Sequence, residues 1–321
     1  MLAVVADVGG TNIRLSVCDL ETGVLDNLQE FACAEFTSLE TALVEYFASL
    51  QSLGTVKHLC IGIACPVEDD LVTMTNLSWQ FSKQALKNSL QLDSLYLIND
   101  YTAISLALPF IDDQDKIKIG GGTAKKDGVT AVFGPGTGLG VSHIVKAANK
   151  WISLDGEGGH ASFTVNTREQ ADVLFTLQEK FGHVSAERIL SGQGIVNVYE
   201  SLCKLAGIEA TFSEPKQVSL AGLDGSCAIS RKSLDIFCQV MGGFAGNLGL
   251  NLACTGGVYI AGGIVPRFVD FFQASEFRSY FEEKGRFKGY LSTIPTFLIM
   301  HDNPGLLGAS VYLRQELETL K

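Results

Sequence analysis

The 321-residue sequence predicts an α/β protein of two domains, and three observations carry that reading. The length suits two units of ~100–200 residues each. Strand and helix signals alternate along the chain, as they do in α/β folds. A strand–glycine turn–strand pattern, "LAVVADVGGTNIRLSVCD" near the start, returns about 125 residues later as "DGVTAVFGPGTGLGVSHIV". Two hairpins of one kind at that distance point to duplicated domains.

Taken in order, the apolar runs Leu2–Ala6, Ile13–Cys18 and Asp26–Cys33 read as three strands of an antiparallel meander. Ser38 is placed to cap a helix reaching Leu50, with Leu39, Leu43, Tyr46 and Phe47 on one face. "HLCIGIACP" reads as a buried strand stopped by Pro66, and "LVTMTN" as a short strand. Ser82 opens a helix in "FSKQALKNSL". "SLYLIND" is a strand that delivers Asn99 and Asp100 to the start of a helix over Tyr101–Leu108. After Trp151, helical signals cover Thr167–Phe181, Ser185–Ser191, Ile195–Ala206 and Arg231–Ala253. A buried strand at Val258–Ala261 precedes a Gly-Gly turn, "PTFLIM" is a late strand, and "DNPGLLGASVYLRQEL" is a final helix. No Pro- or Ser-rich linker intervenes, so the domain join near residue 110 is expected to be a short hinge.

Composition narrows the function classes. Apolar residues make up 46% and charged residues 18%, which excludes a disordered or low-complexity chain. The net charge is −11 and no basic block occurs, so nucleic acid is not an expected partner. The eight cysteines form no C-x-x-C pair and read as small buried hydrophobes of a reducing compartment, not as a zinc site. Residues 236–266 carry no charged side chain until Arg267, long enough to cross a bilayer. Gln239, Asn247, Asn251 and the spaced Gly242, Gly243, Gly246 and Gly249 favour instead a buried, closely packed helix. With no basic leader before Asp7, a cytoplasmic protein away from membranes is expected.

The glycine turns raise the functional question. A Gly-Gly turn lets backbone N–H groups approach a ligand, and successive N–H groups form an anion nest. For either turn alone an ordinary hairpin is the commoner explanation. The chain has no Gly-Lys dipeptide and therefore no P-loop. "GPGTGLG" leads into a strand without the G-x-G-x-x-G spacing of a dinucleotide site.

Read together, DVGGTN followed by IRL, IND at 98–100, FGPGTGLG at 133–140, GEGGH at 156–160, GHVSAERILSG at 182–192 and AGGIVPR at 261–267 resemble the bacterial glucokinases. The resemblance runs in order over nearly the whole chain. It implies the two-domain actin-like ATPase (ribonuclease H-like) fold, with mixed sheets flanked by helices and a cleft between the domains. The implied division is 1–110 plus 301–321 as the smaller domain and 111–300 as the larger. It further implies ATP contacts at Ala6, Asp7, Val8, Gly9, Gly10 and Thr11, at Gly136, Thr137 and Gly138, and at Gly262 and Gly263. Pro135 departs from an ideal phosphate loop, since it has no N–H to give.

Side-chain chemistry fits the same picture. Asp100 follows an apolar strand and precedes a helix, where open α/β sheets place their crevices. Helix capping is an ordinary alternative there. The resemblance makes Asp100 the general base on the glucose 6-hydroxyl and implies Asn99, Asp100, Glu157, His160 and Glu187 as sugar contacts. Carboxylates and an imidazole suit a ring of hydroxyls. Asp7 is expected to hold Mg²⁺ through water, because Mg²⁺ keeps several waters and takes few carboxylates. His183 and Glu187 are four apart without a surrounding metal set. Trp79 and Trp151 read as packing residues. A DNA-binding regulator of the same fold is disfavoured by the six residues before Asp7 and the missing cysteine-rich zinc motif. A protein-directed ATPase is disfavoured by the polar GEGGH and SAER segments. Glucose and ATP are the expected partners, another hexose such as mannose or an N-acetylated hexosamine the alternative, and a homodimer the expected assembly.

Overall fold

Apolar strands that alternate with amphipathic helices fold here into two compact units, Met1–Asp112 with Ala147–Ser153 and His301–Lys321, and Asp113–Lys146 with Leu154–Met300. The structure, a computed structural model, describes residues 1–74 and 77–319.

The first unit opens with the expected meander, β1 (Leu2–Val8), β2 (Asn12–Asp19) and β3 (Leu25–Ala32). Cys33 falls just beyond the third strand, in a single 3-10 turn. Helix α1 (Leu39–Ser49) is capped as read from sequence: Ser38 Oγ accepts from Thr41 N–H, and Thr41 Oγ1 accepts from Ser38 N–H. Then come β4 (His58–Ile63), the short pair β5 (Leu71–Thr73) and β6 (Gln80–Ser82), α2 (Lys83–Ser89) capped by Ser82, β7 (Ser94–Asn99) and α3 (Asp100–Ala107). The "LVTMTN" strand ends at Thr73; Thr75 and Asn76 lie outside the described residues. The sheet order is β3-β2-β1-β4-β7, with the meander antiparallel and β1, β4 and β7 parallel. Trp79 is buried in this unit's core, as expected of a packing residue.

The second unit repeats the logic with β8 (Lys116–Gly120), β9 (Thr130–Pro135), β10 (Leu139–Ala147) and the end of β11 (Lys150–Gly156), whose residues up to Ser153 belong to the first unit. Helices α4 (Arg168–Phe181), α5 (Gly192–Ala206), α6 (Pro215–Leu223) and α7 (Ala228–Asn251) follow, then β12 (Gly257–Ile260), α8 (Val269–Ala274), α9 (Phe277–Glu282), α10 (Lys288–Leu291) and β13 (Thr296–Ile299). The order is β11-β10-β9-β12-β13-β8, again mixed. The segment expected as a helix over Ser185–Ser191 makes only one 3-10 turn, Ala186–Arg188. Its Ser191 is instead the N-cap of α5, accepting from Gly194 N–H at 3.0 Å. The charge-free stretch forms α7 and β12. Among the described residues no helix is long and apolar enough to cross a membrane.

The chain returns to the first unit as α11 (Pro304–Glu316). Gln315 there binds the 147–153 segment, accepting from Trp151 N–H at 2.7 Å and donating to its carbonyl at 3.0 Å. Helices α11 and α3 pack so closely that a Cβ at Gly308 would fall onto the Ala103 carbonyl. Because α3 carries Asp100 at its first turn, this contact fixes the height of that carboxylate. Gly308→Ala must therefore push the helices apart. Chemical denaturation should show a loss of roughly 1–3 kcal/mol, the range of core overpacking and strain. A loss under about 0.5 kcal/mol, the level of a neutral surface change, would contradict the contact.

Candidate active site

In the first unit, register brings the site together. Parallel pairing sets Val8 level with Ile63 and Ile63 level with Asn99, so β1, β4 and β7 end at one edge. Such strand ends are where open α/β sheets bind ligands. Asp7, Gly62 and Ile98 form one row across the three strands. Asn99 is the N-cap of α3: its Oδ1 accepts from Tyr101 N–H at 2.9 Å, and Asp100 Oδ1 accepts from the same N–H at 3.0 Å. Capping and chemistry are thus compatible at this pair, because the cap fixes the carboxylate's direction.

Asp7 faces Arg14 across the β1–β2 hairpin, with Nη1 3.8 Å from Oδ2, while Arg14 Nη2 reaches Glu30 Oε1 at 3.2 Å. The first turn of α11 also closes on Asp7: a Cβ at Gly305 would lie 2.8 Å from its carboxyl carbon. Burial pushes the Asp7 carboxyl up to about 6; Arg14 opposes the shift and the Asp100 charge adds to it. Asp100 also adds to the burial that raises the Cys65 thiol to about 11. Arg14 and Gly305 escaped the sequence reading. Arg14 sits at the strand position paired with Asp7, a signal that the hairpin register alone could have given.

The first glycine turn is tied at its start, Gly9 N–H donating to Asn12 O at 3.0 Å. Among the described residues, the next two N–H groups, of Gly10 and Thr11, have no acceptor within the protein. The second unit repeats this at the tip of β9–β10: Gly136 N–H donates to Gly138 O at 2.8 Å, and the N–H groups of Thr137 and Gly138 are left without an acceptor. Each tip therefore presents two consecutive amides, the donor pair an anionic oxygen takes. The Gly-Gly turn after β12 lies beside the second tip. Gly262 has φ +84°, and a Cβ there would stand 2.5 Å from Pro135 O, so only glycine fits; Gly263 has open space around it.

Glu157, His160 and Glu187 lie on segments that converge on Leu139. Gly158–His160 forms one 3-10 turn, with His160 N–H donating to Glu157 O at 3.0 Å. The turn presses on Leu139, since a Cβ at Gly159 would collide with its carbonyl oxygen. Glu157 and His160 are exposed, their Oε2 and Nε2 atoms 4.0 Å apart. Ala186 N–H donates to Ala161 O at 2.8 Å and joins the Glu187 segment to the same turn. Glu187 Oε2 accepts from Leu139 N–H at 2.9 Å. His183 contacts Ser162 Oγ at 3.1 Å, and among the described residues no cluster of three or more His, Cys, Asp or Glu is placed to hold a metal.

Two mixed-sheet units, each ending a hairpin in a glycine turn with a bare amide pair, and a strand-end carboxylate beside the first turn, define a sugar-kinase ATPase of the actin-like class. The family model for glucokinase matches residues 4–316. Over 320 residues the chain is 48% identical to the glucokinase of Photorhabdus laumondii, covering 100% of this chain and 99% of that one. It is 49% identical over 315 residues to the glucokinase of Erwinia tasmaniensis, covering 98% of each. A crystal structure of glucokinase from an Antarctic psychrotroph superposes with a TM-score of 0.90 at 33% identity, over 98% of this chain and 99% of that one. The chain belongs to the glucokinase family.

The raised Asp7 carboxyl has a stability consequence. The folded protein holds this proton more tightly than the unfolded chain, so folding is favoured while Asp7 is protonated. That contribution fades as pH rises from 3.8 through about 6. Above this window the ionised group opposes folding by roughly 3 kcal/mol. Asp7→Asn should accordingly be more stable than the native chain in denaturation at pH 8 and lose that advantage at pH 4. An Asn variant less stable at pH 8 would show that Asp7 is not destabilised by its setting.

Proposed function

We propose that Asp100 is the base through which this glucokinase-family enzyme phosphorylates glucose at the 6-hydroxyl with ATP. The observation that carries the reading is that Asp100 lies close enough to Asp7 for its charge to be felt there, at the joint end of three parallel strands, with the first bare amide, of Gly10, three positions after Asp7. ATP-dependent phosphorylation of glucose is the activity of the family to which the chain belongs. The residue roles below are supported by the geometry within each unit.

The hydroxyl oxygen of glucose attacks the γ-phosphorus, the bond to the β,γ-bridging oxygen breaks, and ADP leaves. The hydroxyl proton passes late to the Asp100 carboxylate, because the transition state is loose and the nucleophile needs little activation early. Tyr101 N–H, bonded to Asp100 Oδ1, keeps the carboxylate oriented. Gly10 and Thr11 on one tip, and Thr137 and Gly138 on the other, supply amides to phosphate oxygens. Gly262 and Gly263 leave room for the adenosine side. Glu157, His160, Glu187 and Asn99 serve as hydroxyl partners, and a site built this way rejects sugars that leave its polar groups unpaired.

Mg²⁺ fits Asp7. Burial and the charge of the neighbouring Asp100 carboxylate raise the Asp7 pKa, and a cation relieves both. With no three-residue cluster among the described residues, such an ion would draw its other ligands from water and phosphate oxygens. Bound there, it would neutralise charge on the transferring phosphoryl group. The same reading carries a smaller domain of 1–110 with 301–321, a larger one of 111–300, a cytoplasmic setting and a homodimer, supported by the family resemblance.

An ADP-release assay across a hexose panel, with and without Mg²⁺, tests the reading. Glucose with Mg²⁺ should give the highest kcat/KM; preference for mannose or an N-acetylated hexosamine would overturn the substrate assignment. Asp100→Ala should cut kcat about 10²–10⁴-fold, the usual value of a general base, while ATP still binds in calorimetry. Near-native turnover would remove Asp100 from the chemistry. Glu187→Gln should raise the glucose KM well beyond any change in the ATP KM, and equal effects would count against a sugar-side role.

A further inference from the structure

We infer that Gly138, a residue of the second phosphate turn, sets the affinity for the sugar by leaving room for the Glu187 carboxylate. The inference rests on Glu187 being a sugar contact, as proposed above, and all its parts lie within the second unit.

Glu187 is held from two sides. Its carbonyl accepts from Ser191 Oγ at 2.8 Å, which ties its backbone to the cap of α5. Its Oε2 accepts from Leu139 N–H at 2.9 Å. Among the described residues Oε1 takes no hydrogen bond within the protein, which leaves that oxygen available to a hydroxyl. The space occupied by Oε2 is the space a side chain at 138 would need: a Cβ built on Gly138 stands 2.6 Å from Oε2 and 3.4 Å from the carboxyl carbon. Gly138 does not have a positive φ, so the backbone itself would accept alanine. The exclusion is therefore due to Glu187 and not to backbone conformation.

A second fastening makes the turn and the carboxylate one mechanical piece. Gly192 N–H donates to Gly136 O at 2.9 Å, so the phosphate turn is bound to the 187–192 segment at both of its shoulders. At Gly136, by contrast, a Cβ meets nothing within 4 Å. Two glycines two residues apart on one turn thus differ in what they protect. Gly136 faces open space, where only a ligand of the turn would feel an added methyl. Gly138 faces the sugar carboxylate. A methyl at 138 displaces Oε2, breaks or lengthens its bond to Leu139 N–H, and misaims Oε1.

The test measures glucose and ATP KM values, and glucose affinity by calorimetry without nucleotide, for Gly138→Ala, Gly136→Ala, Glu187→Gln, Glu187→Asp and Gly138→Ala/Glu187→Asp. Gly138→Ala should weaken glucose about tenfold or more and change the ATP KM far less, although it alters a phosphate turn. Gly136→Ala should leave glucose affinity within about twofold. Aspartate is one methylene shorter and makes room for the methyl. The double variant should therefore bind glucose no worse than Glu187→Asp alone, a non-additivity that general loss of structure would not produce. If Glu187→Gln weakens glucose but Gly138→Ala acts on ATP alone, or adds fully to Glu187→Asp, this inference is wrong and the sugar role of Glu187 stands. If Glu187→Gln leaves glucose binding intact, the underlying reading fails instead.

Discussion

Four backbone amides, of Gly10 and Thr11 on one hairpin and of Thr137 and Gly138 on the other, have no acceptor within the protein among the described residues. A backbone N–H withheld from its own fold must be met by water or by a ligand. Both hairpins keep the pair bare by the same device. The first glycine of each turn spends its N–H on the turn itself, and the two donors that follow have no carbonyl to reach. Neighbouring structure reinforces the arrangement: Gly262 lies against the Gly134–Pro135 backbone without a side chain, and Glu187 occupies the ground beside Gly138. The bare amide pairs are consequences of how strands, caps and glycines pack around them.

Charge at the first turn points the same way. Asp7 is partly buried, set near Asp100, and only partly compensated by Arg14 at 3.8 Å. A fold selected for stability alone would not keep two carboxylates in that relation. A site that receives a cation and a phosphoryl group gains from them, because the negative charge is already in place when the ligand arrives. The α11 turn at Gly305 and the α11–α3 contact at Gly308 hold both carboxylates where this coupling operates.

Much of this was legible in the sequence because it is local. The Ser38 and Ser82 caps, the strand delivering Asn99 and Asp100, and both glycine turns depend on residues within a few positions of one another. Strands β8 and β11 were missed. Both are edge strands, with lysines and exposed positions that dilute the apolar signal. Helix α6 was also missed, although Pro215 at its first position and the Glu214–Gln217 capping box mark its start. The Ser185–Ser191 segment looked helical because Glu and Arg are good helix formers. Tertiary bonds from Ala186 N–H to Ala161 O and from Leu139 N–H to Glu187 Oε2 hold it to one turn. Arg14 beside Asp7, Gly305 against it and Gly138 beneath Glu187 are relations between distant positions, which no local pattern records.

The most direct test of the amide pairs is nuclear magnetic resonance on protein labelled at glycine and threonine, titrated with a non-hydrolysable ATP analogue and Mg²⁺. The account predicts that the N–H signals of Gly10, Thr11, Thr137 and Gly138 shift strongly, while those of Gly9 and Gly136, already bonded within their turns, shift much less. If the analogue binds and those four signals stay in place, the phosphates are held elsewhere and the account is contradicted.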